Sequence, residues 1–146
     1  MLRGVADATR RRVLFLCTHN SARSQMAEGL LRATAGDRFE VASAGTEQTR
    51  VNPLAVRAMD ELGIDIGNYE SKTLDRFLGE RWDYVITVCD SANEACPVFP
   101  GAAHRLHWGF DDPSRATGTD DERLATFRRV RDEIAARLSA WLDGPA

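Results

Sequence analysis

The chain has 146 residues, of which 43% are hydrophobic and 28% are charged, and a formal net charge of −3. This size and composition are typical of one soluble globular domain with a full hydrophobic core, and they argue against a fibrous or wholly disordered protein. The negative net charge argues against a general nucleic-acid or anionic-membrane binder. The longest apolar run, over residues 13–17, is far shorter than the roughly 20 residues of a membrane-spanning helix.

The cysteine count and the N-terminal residues predict a reducing compartment. The chain has three cysteines, and no apolar stretch of signal-peptide length follows its N-terminal arginines. We therefore expect a cytoplasmic protein whose thiols are buried, metal-binding or reactive, rather than paired in a structural framework. Residues 1–11 are predicted to form a polar extension and residues 12–146 a single domain, which we expect to be monomeric.

Apolar periodicity predicts that strands and helices alternate along the chain. The predicted strands cover residues 13–16, 39–43, 84–88 and 105–108. The first and last predicted helices cover residues 24–35, with a stop at Gly36, and 124–141. A further helix is predicted from the N-cap Asn52 to Gly63, with an apolar stripe of Leu54, Ala58, Met59 and Leu62. This order predicts an α/β fold with a four-stranded parallel sheet and helices on both faces. Ligands of such sheets bind beyond the carboxyl ends of the strands, where Cys17 and Cys89 fall.

The loop after the first strand, Cys17 to Ser24, has the composition of an oxyanion site. Its small and polar residues allow the backbone to curl with its amides inward at the positive end of the next helix; these residues are Thr18, His19, Asn20, Ser21 and Ala22. The Arg23 guanidinium would add a bidentate donor. Such surroundings favour a nucleophilic thiolate at Cys17, to which Ser24 could donate its hydroxyl. The alternative is a buried cysteine with an unrelated surface arginine.

The other two cysteines, Cys89 and Cys96, are seven residues apart, and a short helix is predicted over 91–95. In one regular helix their Cα atoms would lie about 10 Å apart, whereas a disulfide needs roughly 4.4–6.8 Å. Oxidation of this pair should therefore remodel the segment. A zinc site that also uses His104 and His107 fits the usual ligand spacing poorly, and inert packing is the other alternative.

A carboxylate precedes a proline in the loop after the fourth predicted strand. Asp112, followed by Pro113, would lie at the ligand edge of the sheet and could supply a general acid for a leaving oxygen. An ordinary loop-forming Asp-Pro dipeptide is the alternative.

Together these residues resemble the thioredoxin-coupled arsenate reductases, which share the fold of the low-molecular-weight protein tyrosine phosphatases. The resemblance covers most of the chain from Arg12 onward. The matching stretches are residues 17–28, 43–46, 88–97 and 107–113, together with the helical segment 128–134. Its most specific feature is the arrangement of the three cysteines, which the phosphatases do not require.

The resemblance implies a complete reaction. Cys17 would attack arsenate, held by the loop amides and Arg23, while Asp112 protonates the departing oxygen. Cys89 would then attack Cys17 and release arsenite, and Cys96 would attack Cys89 and leave a disulfide for thioredoxin. The family further implies a role in arsenic detoxification, weak hydrolysis of aryl phosphates, and no metal or organic cofactor.

One position departs from the family pattern. Some members hold a potassium ion beside the loop, and Asn20, Glu28 and Ser43 match residues of that site. Lys72 lies where an acidic partner is expected. We therefore predict that the Lys72 ammonium replaces the ion.

Two other functions compete with this interpretation. A low-molecular-weight tyrosine phosphatase would use the same loop and acid, but such enzymes carry a tyrosine after the Asp-Pro pair, where this chain has Ser114 and Arg115. A non-catalytic oxyanion sensor would bind phosphate or arsenate and signal through its thiols.

Overall fold

A computed structural model describes residues 10–90 and 95–144 of the chain. The strands are β1 (Arg11–Cys17), β2 (Phe39–Gly45), β3 (Trp82–Thr87) and β4 (Ala102–His107). The helices are α1 (Arg23–Ala35), α2 (Pro53–Asp60) and α3 (Asp120–Asp143), with short 3-10 helices at Leu74–Phe77 and Pro113–Arg115. None of the helices within these residues combines the length and apolar composition that crossing a membrane requires.

The strands form one parallel sheet in the order β2-β1-β3-β4. The buried run that predicted the first strand lies at its centre, because β1 pairs with β2 on one side and β3 on the other. In register, Cys17 pairs with Gly45, and Leu16 pairs with Thr87. The predicted parallel sheet is therefore confirmed, and the ends of β1, β2 and β3 meet at one edge.

Local signals explain where most helices begin. The Asn52 side chain accepts a hydrogen bond from the Leu54 amide at 2.9 Å, with Pro53 in the first helical position. Thr119 and Glu122 form a capping box at the start of α3. The end of α2 differs from the prediction: the helix stops at Asp60, and Leu62, predicted to lie in its apolar stripe, is 47% exposed in the turn that follows.

The two faces of the sheet are covered unequally. The three α-helices contribute to one large core, which contains Met26, Leu31, Met59, Phe127 and Ile134. The opposite face has a smaller core around Trp82 and Phe99, against which the 3-10 helix Leu74–Phe77 packs. Helical segments thus lie on both faces, as predicted, but all the described α-helices share one.

The observed strands begin and end within a few residues of their predicted limits. Strand β1 starts at Arg11, one residue before the predicted start of the domain, and the Arg11 guanidinium donates to the Tyr84 hydroxyl at 2.8 Å. Strand β2 continues two residues past its predicted end. Strands β3 and β4 begin two and three residues before their predicted starts, and each ends one residue before its predicted end. Residues 1–9, most of the predicted extension, lie outside the described part of the chain.

Candidate active site

The loop between β1 and α1 turns its carbonyl groups outward. The oxygens of residues 18–21 accept hydrogen bonds from neighbouring segments; the donors are the Thr46 and Glu47 amides, the Thr49 and Ser71 hydroxyls, the Gln25 side chain and the Asn52 amide. In a peptide group the N–H points opposite to the C=O. The amides that follow these carbonyls therefore point into the loop, which is the arrangement that an oxyanion needs.

Two further features keep this loop open to an anion. The N-cap of α1 is Ala22, whose side chain has no acceptor to occupy the first amides of the helix. Gly45, at the end of β2, lies directly against the loop: a Cβ there would come within 2.6 Å of the Thr18 oxygen and 2.8 Å of the Asn20 nitrogen. A side chain at position 45 would therefore displace the loop.

Asn20 organises the interior of the loop. It is fully buried and adopts the left-handed conformation, with φ at 50°. Its Oδ1 accepts from the Lys72 amide at 2.8 Å, and because that amide can only donate, the orientation of the Asn20 side chain is fixed. Its Nδ2 then donates to the hydroxyls of Ser24 at 2.8 Å and Ser43 at 2.9 Å.

This orientation determines what Ser24 offers to Cys17. The Ser24 Oγ accepts from Asn20 and lies 2.9 Å from the Cys17 Sγ. Its own hydrogen is therefore available to the sulfur, and a thiolate is the better acceptor. Cys17 is 2% exposed and is the free cysteine of the chain. The predicted contact between Ser24 and Cys17 is present.

Arg23 reaches from α1 to the loop after β4. Its side chain is 3% exposed, its Nη1 donates to the Phe110 oxygen at 3.2 Å, and its Nη2 lies 3.7 Å from the Asp112 Oδ2. Asp112 also accepts at Oδ1 from the amide of Ser114 at 3.0 Å and from its hydroxyl at 2.6 Å. The guanidinium and the carboxylate therefore face one another across the site.

A small pocket lies between these groups. Its lining residues are Cys17, His19, Ser21, Ala22, Arg23, Asp112 and Ser114. The neighbouring carboxylate, Asp111, belongs to a different environment, since its Oδ2 lies 3.2 Å from the Arg129 guanidinium of α3. The structure thus brings together the predicted nucleophile, arginine and acid. The contribution of the Ser114 hydroxyl was not predicted, although a serine two residues after an aspartate is a known signal for such a bond.

Cys89 and Cys96 form a disulfide with Cα atoms 5.9 Å apart. This separation lies within the range that a disulfide needs and is shorter than the about 10 Å that seven residues of regular helix would span. The helix predicted over 91–95 falls mostly on residues 91–94, which lie outside the described residues. The histidines of the zinc alternative are engaged elsewhere: His104 stacks on Tyr84, and His107 is 2.7 Å from the Thr87 hydroxyl.

The sheet brings Cys89 to the same edge as Cys17, the predicted nucleophile. Leu16 pairs with Thr87 across β1 and β3, and the Val88 amide donates to the Leu16 oxygen at 2.9 Å. Cys17 is the last residue of β1, Cys89 lies two residues after the end of β3, and both belong to one buried cluster. Cys89 is fully buried, whereas Cys96 is partly exposed at the border of the same cluster.

The predicted remnant of a cation site is also assembled. The Ser43 hydroxyl donates to the Glu28 Oε1 at 2.6 Å, and the Lys72 Nζ lies 3.9 Å from that same oxygen. The Lys72 Nζ donates in addition to the Glu70 oxygen at 2.8 Å. Burial lowers the pKa of the Lys72 ammonium from its usual value, while the Glu28 carboxylate acts in the opposite direction. Gln25, which binds both oxygens of Asn20, was not anticipated from the sequence.

Comparison with known proteins agrees with this geometry. Residues 12–144 match the family model described as low molecular weight phosphotyrosine protein phosphatase. An arsenate reductase from Halalkalibacterium halodurans is 51% identical over 131 residues, which are 90% of this chain and 94% of that protein.

Two solved structures extend the comparison. An arsenate reductase in the phosphate binding state is 31% identical with a TM-score of 0.74, over 91% of this chain and 97% of that one. A thioredoxin-dependent arsenate reductase from Corynebacterium glutamicum is 29% identical with a TM-score of 0.59, over 94% of this chain and 66% of that one. The chain therefore belongs to the low molecular weight phosphotyrosine protein phosphatase family and, within it, to the arsenate reductases.

Proposed function

We propose that this chain reduces arsenate to arsenite with electrons from its own thiols, and that thioredoxin restores those thiols. The observation that carries this proposal is the coexistence of two sites at one sheet edge. The free thiol of Cys17 lies in an oxyanion pocket with Arg23 and Asp112, and the disulfide between Cys89 and Cys96 lies beside it.

In the first step the Cys17 thiolate attacks the arsenic of a bound arsenate. The loop amides and Arg23 hold the oxyanion, while Asp112 gives its proton to an arsenate oxygen, which leaves as water. A sulfur–arsenic bond forms and an arsenic–oxygen bond breaks, so arsenic stays pentavalent. The pairing of Arg23 with Asp112 supports these roles, since it places the acid beside the group that holds the anion.

Reduction takes place in the second step. The thiolate of Cys89 attacks the sulfur of Cys17, a disulfide forms, and the electron pair of the sulfur–arsenic bond remains on arsenic, which leaves as arsenite. Cys96 then attacks Cys89, which returns Cys17 as a thiolate and leaves the disulfide seen in this structure. Cys17 ends β1, and Cys89 lies two residues after the end of the neighbouring strand β3, which supports this direct transfer.

Thioredoxin is the proposed reductant because the remaining disulfide is accessible from one side. Cys96 is partly exposed, whereas Cys89 and Cys17 are buried. The C. glutamicum relative is a thioredoxin-dependent enzyme, which supports the same partner for this chain. Dependence on a cellular dithiol supports a cytoplasmic location. All the proposed groups come from one chain, which supports a monomer as the active unit.

A coupled assay tests this function. With thioredoxin, thioredoxin reductase and NADPH, arsenate should start a steady loss of NADPH, and Cys89→Ser should abolish the steady rate. Release of phosphate from an aryl phosphate with no arsenate-dependent NADPH loss would instead identify a phosphatase. Binding of arsenate without either reaction would identify a sensor.

A further inference from the structure

Ser114 makes two contacts with one oxygen of the proposed acid. Its hydroxyl donates to the Asp112 Oδ1 at 2.6 Å, and its amide donates to the same oxygen at 3.0 Å. The other oxygen, Oδ2, is the one that lies 3.7 Å from the Arg23 Nη2. The two oxygens of the carboxyl group therefore have different environments.

This asymmetry determines where the proton of Asp112 resides. In a neutral carboxylic acid the carbonyl oxygen accepts hydrogen bonds and the other oxygen carries the hydrogen. Because Oδ1 already accepts from two donors, it takes the carbonyl role, and the proton resides on Oδ2. That oxygen is on the side of the pocket, so an oxyanion held by Arg23 could accept the proton, whereas the guanidinium, which only donates, could not.

We propose that Ser114 is a positioning residue that acts through Asp112 in the first step of the reaction. This inference rests on the proposed function. Ser114 fixes the carboxyl group with Oδ2 towards the leaving oxygen, and it stabilises the carboxylate that remains after the proton has left. The proton passes from Oδ2 to the departing arsenate oxygen as the sulfur–arsenic bond forms, and Ser114 itself neither gains nor loses a proton.

The test is a single turnover of the reduced protein. Each variant is mixed with arsenate in the absence of thioredoxin, and the loss of free thiols is followed in time. The variants are Ser114→Ala, Ser114→Thr, Asp112→Asn, the double variant of S114A with D112N, and Ser139→Ala as a matched change on the exposed surface of α3.

We expect arsenate to oxidise the thiols of S114A about tenfold more slowly than those of the wild type, because this variant loses one hydrogen bond to a charged group. The arsenate concentration at half-maximal rate should change less than about twofold, because Ser114 acts on the acid and not on the residues that hold the oxyanion. S114T, which retains the hydroxyl, should stay within about threefold of the wild type, and S139A should equal it.

The double variant decides whether Ser114 acts through Asp112. If it does, S114A causes no further loss in the D112N background. The inference is overturned if S114A is as fast as the wild type, if S114T is as slow as S114A, or if S114A slows D112N by the same factor. A wild-type protein that loses no thiols with arsenate would instead refute the proposed function itself.

Discussion

The Ser24 hydroxyl lies 2.9 Å from the Cys17 sulfur, and its acceptor side is already occupied by Asn20. The serine therefore donates to the sulfur, and the fixed Asn20 amide keeps it in that role. Asn20 therefore acts on the sulfur of Cys17 through Ser24, although no described contact joins Asn20 to that sulfur.

Replacing Ser24 by alanine should make Cys17 less reactive. A hydrogen bond to a charged group contributes about 1.5–3 kcal/mol, so we expect at least a tenfold loss of reactivity at neutral pH. The oxidised protein is the best sample, because its only free thiol is that of Cys17. Alkylation by iodoacetamide at pH 7 should be slower for S24A than for the wild type.

Ser139→Ala, on the exposed surface of α3, serves as the control for Ser24. It should be alkylated at the wild-type rate. Alkylation of S24A at the wild-type rate as well would show that the hydrogen bond from Ser24 does not activate the sulfur of Cys17.

The two neighbouring carboxylates should differ sharply in their contribution to the first step. Asp112 lines the pocket, whereas Asp111 pairs with Arg129 on α3. General acids typically contribute 10²–10⁴-fold, so we expect Asp112→Asn to slow thiol oxidation by arsenate at least a hundredfold. Asp111→Asn should slow it less than about threefold. A comparable loss in Asp111→Asn alone would assign the acid to that residue instead.

Removal of the last cysteine should stop the enzyme after one reaction. In Cys96→Ser, Cys89 can still attack Cys17, but no thiol remains to attack the resulting Cys17–Cys89 disulfide and free Cys17. We expect about one arsenite per protein chain and a Cys17–Cys89 disulfide, measured by arsenite quantification and by mass spectrometry of digested protein. Sustained turnover in this variant would contradict the proposed order of the thiols.

The position of Lys72 predicts that potassium changes neither the stability nor the activity of the protein. The Lys72 ammonium lies 3.9 Å from the Glu28 Oε1, and the Ser43 hydroxyl donates to that same oxygen. A fixed positive charge there leaves no net attraction for a second cation. Replacing sodium by potassium at equal ionic strength should therefore leave the melting temperature and turnover of the wild type unchanged.

Two substitutions separate charge from coordination at this position. Lys72→Asp restores an acidic ligand and should acquire potassium-dependent stabilisation, measured as a rise in melting temperature over sodium. Lys72→Met removes the charge without adding a ligand and should respond less. A marked effect of potassium on the wild type would show that the lysine does not replace the ion.

The sequence was most informative where local chemistry determines structure. The buried apolar run at 13–16 predicted the central strand, and Asn52 with Pro53 predicted the start of α2. The small and polar residues between Cys17 and Arg23, placed between a buried strand and a helix, predicted the loop. Each of these features lies within about ten residues of chain.

The features that could not be predicted depend on contacts between distant segments. The Lys72 amide orients Asn20 from 52 residues away, and the Phe110 oxygen accepts from Arg23 across 87 residues. No periodicity or motif records such pairings. Leu62 was assigned to the apolar stripe of α2 because its spacing fits, but the helix ends before it and the side chain is exposed in the turn.

The contact between α2 and α3 predicts how stability changes in acid. The carboxylate of Glu61, just after α2, accepts hydrogen bonds from Arg128 and Arg131 of α3, and chiefly the bonds from Arg128 lower the pKa of Glu61 to about 2. When folding lowers the pKa of a carboxyl group, that group stabilises the protein at pH values above its ordinary pKa, here near 4.5. The contribution is lost as the pH falls towards 2.

In urea unfolding, Glu61→Gln should therefore be less stable than the wild type at pH 6, and the difference should shrink below pH 4.5. Asp37→Asn, in the exposed turn after α1, should show no such trend. A difference for E61Q that is equal at pH 6 and pH 2.5 would mean that side-chain packing, and not the charge of Glu61, joins the two helices.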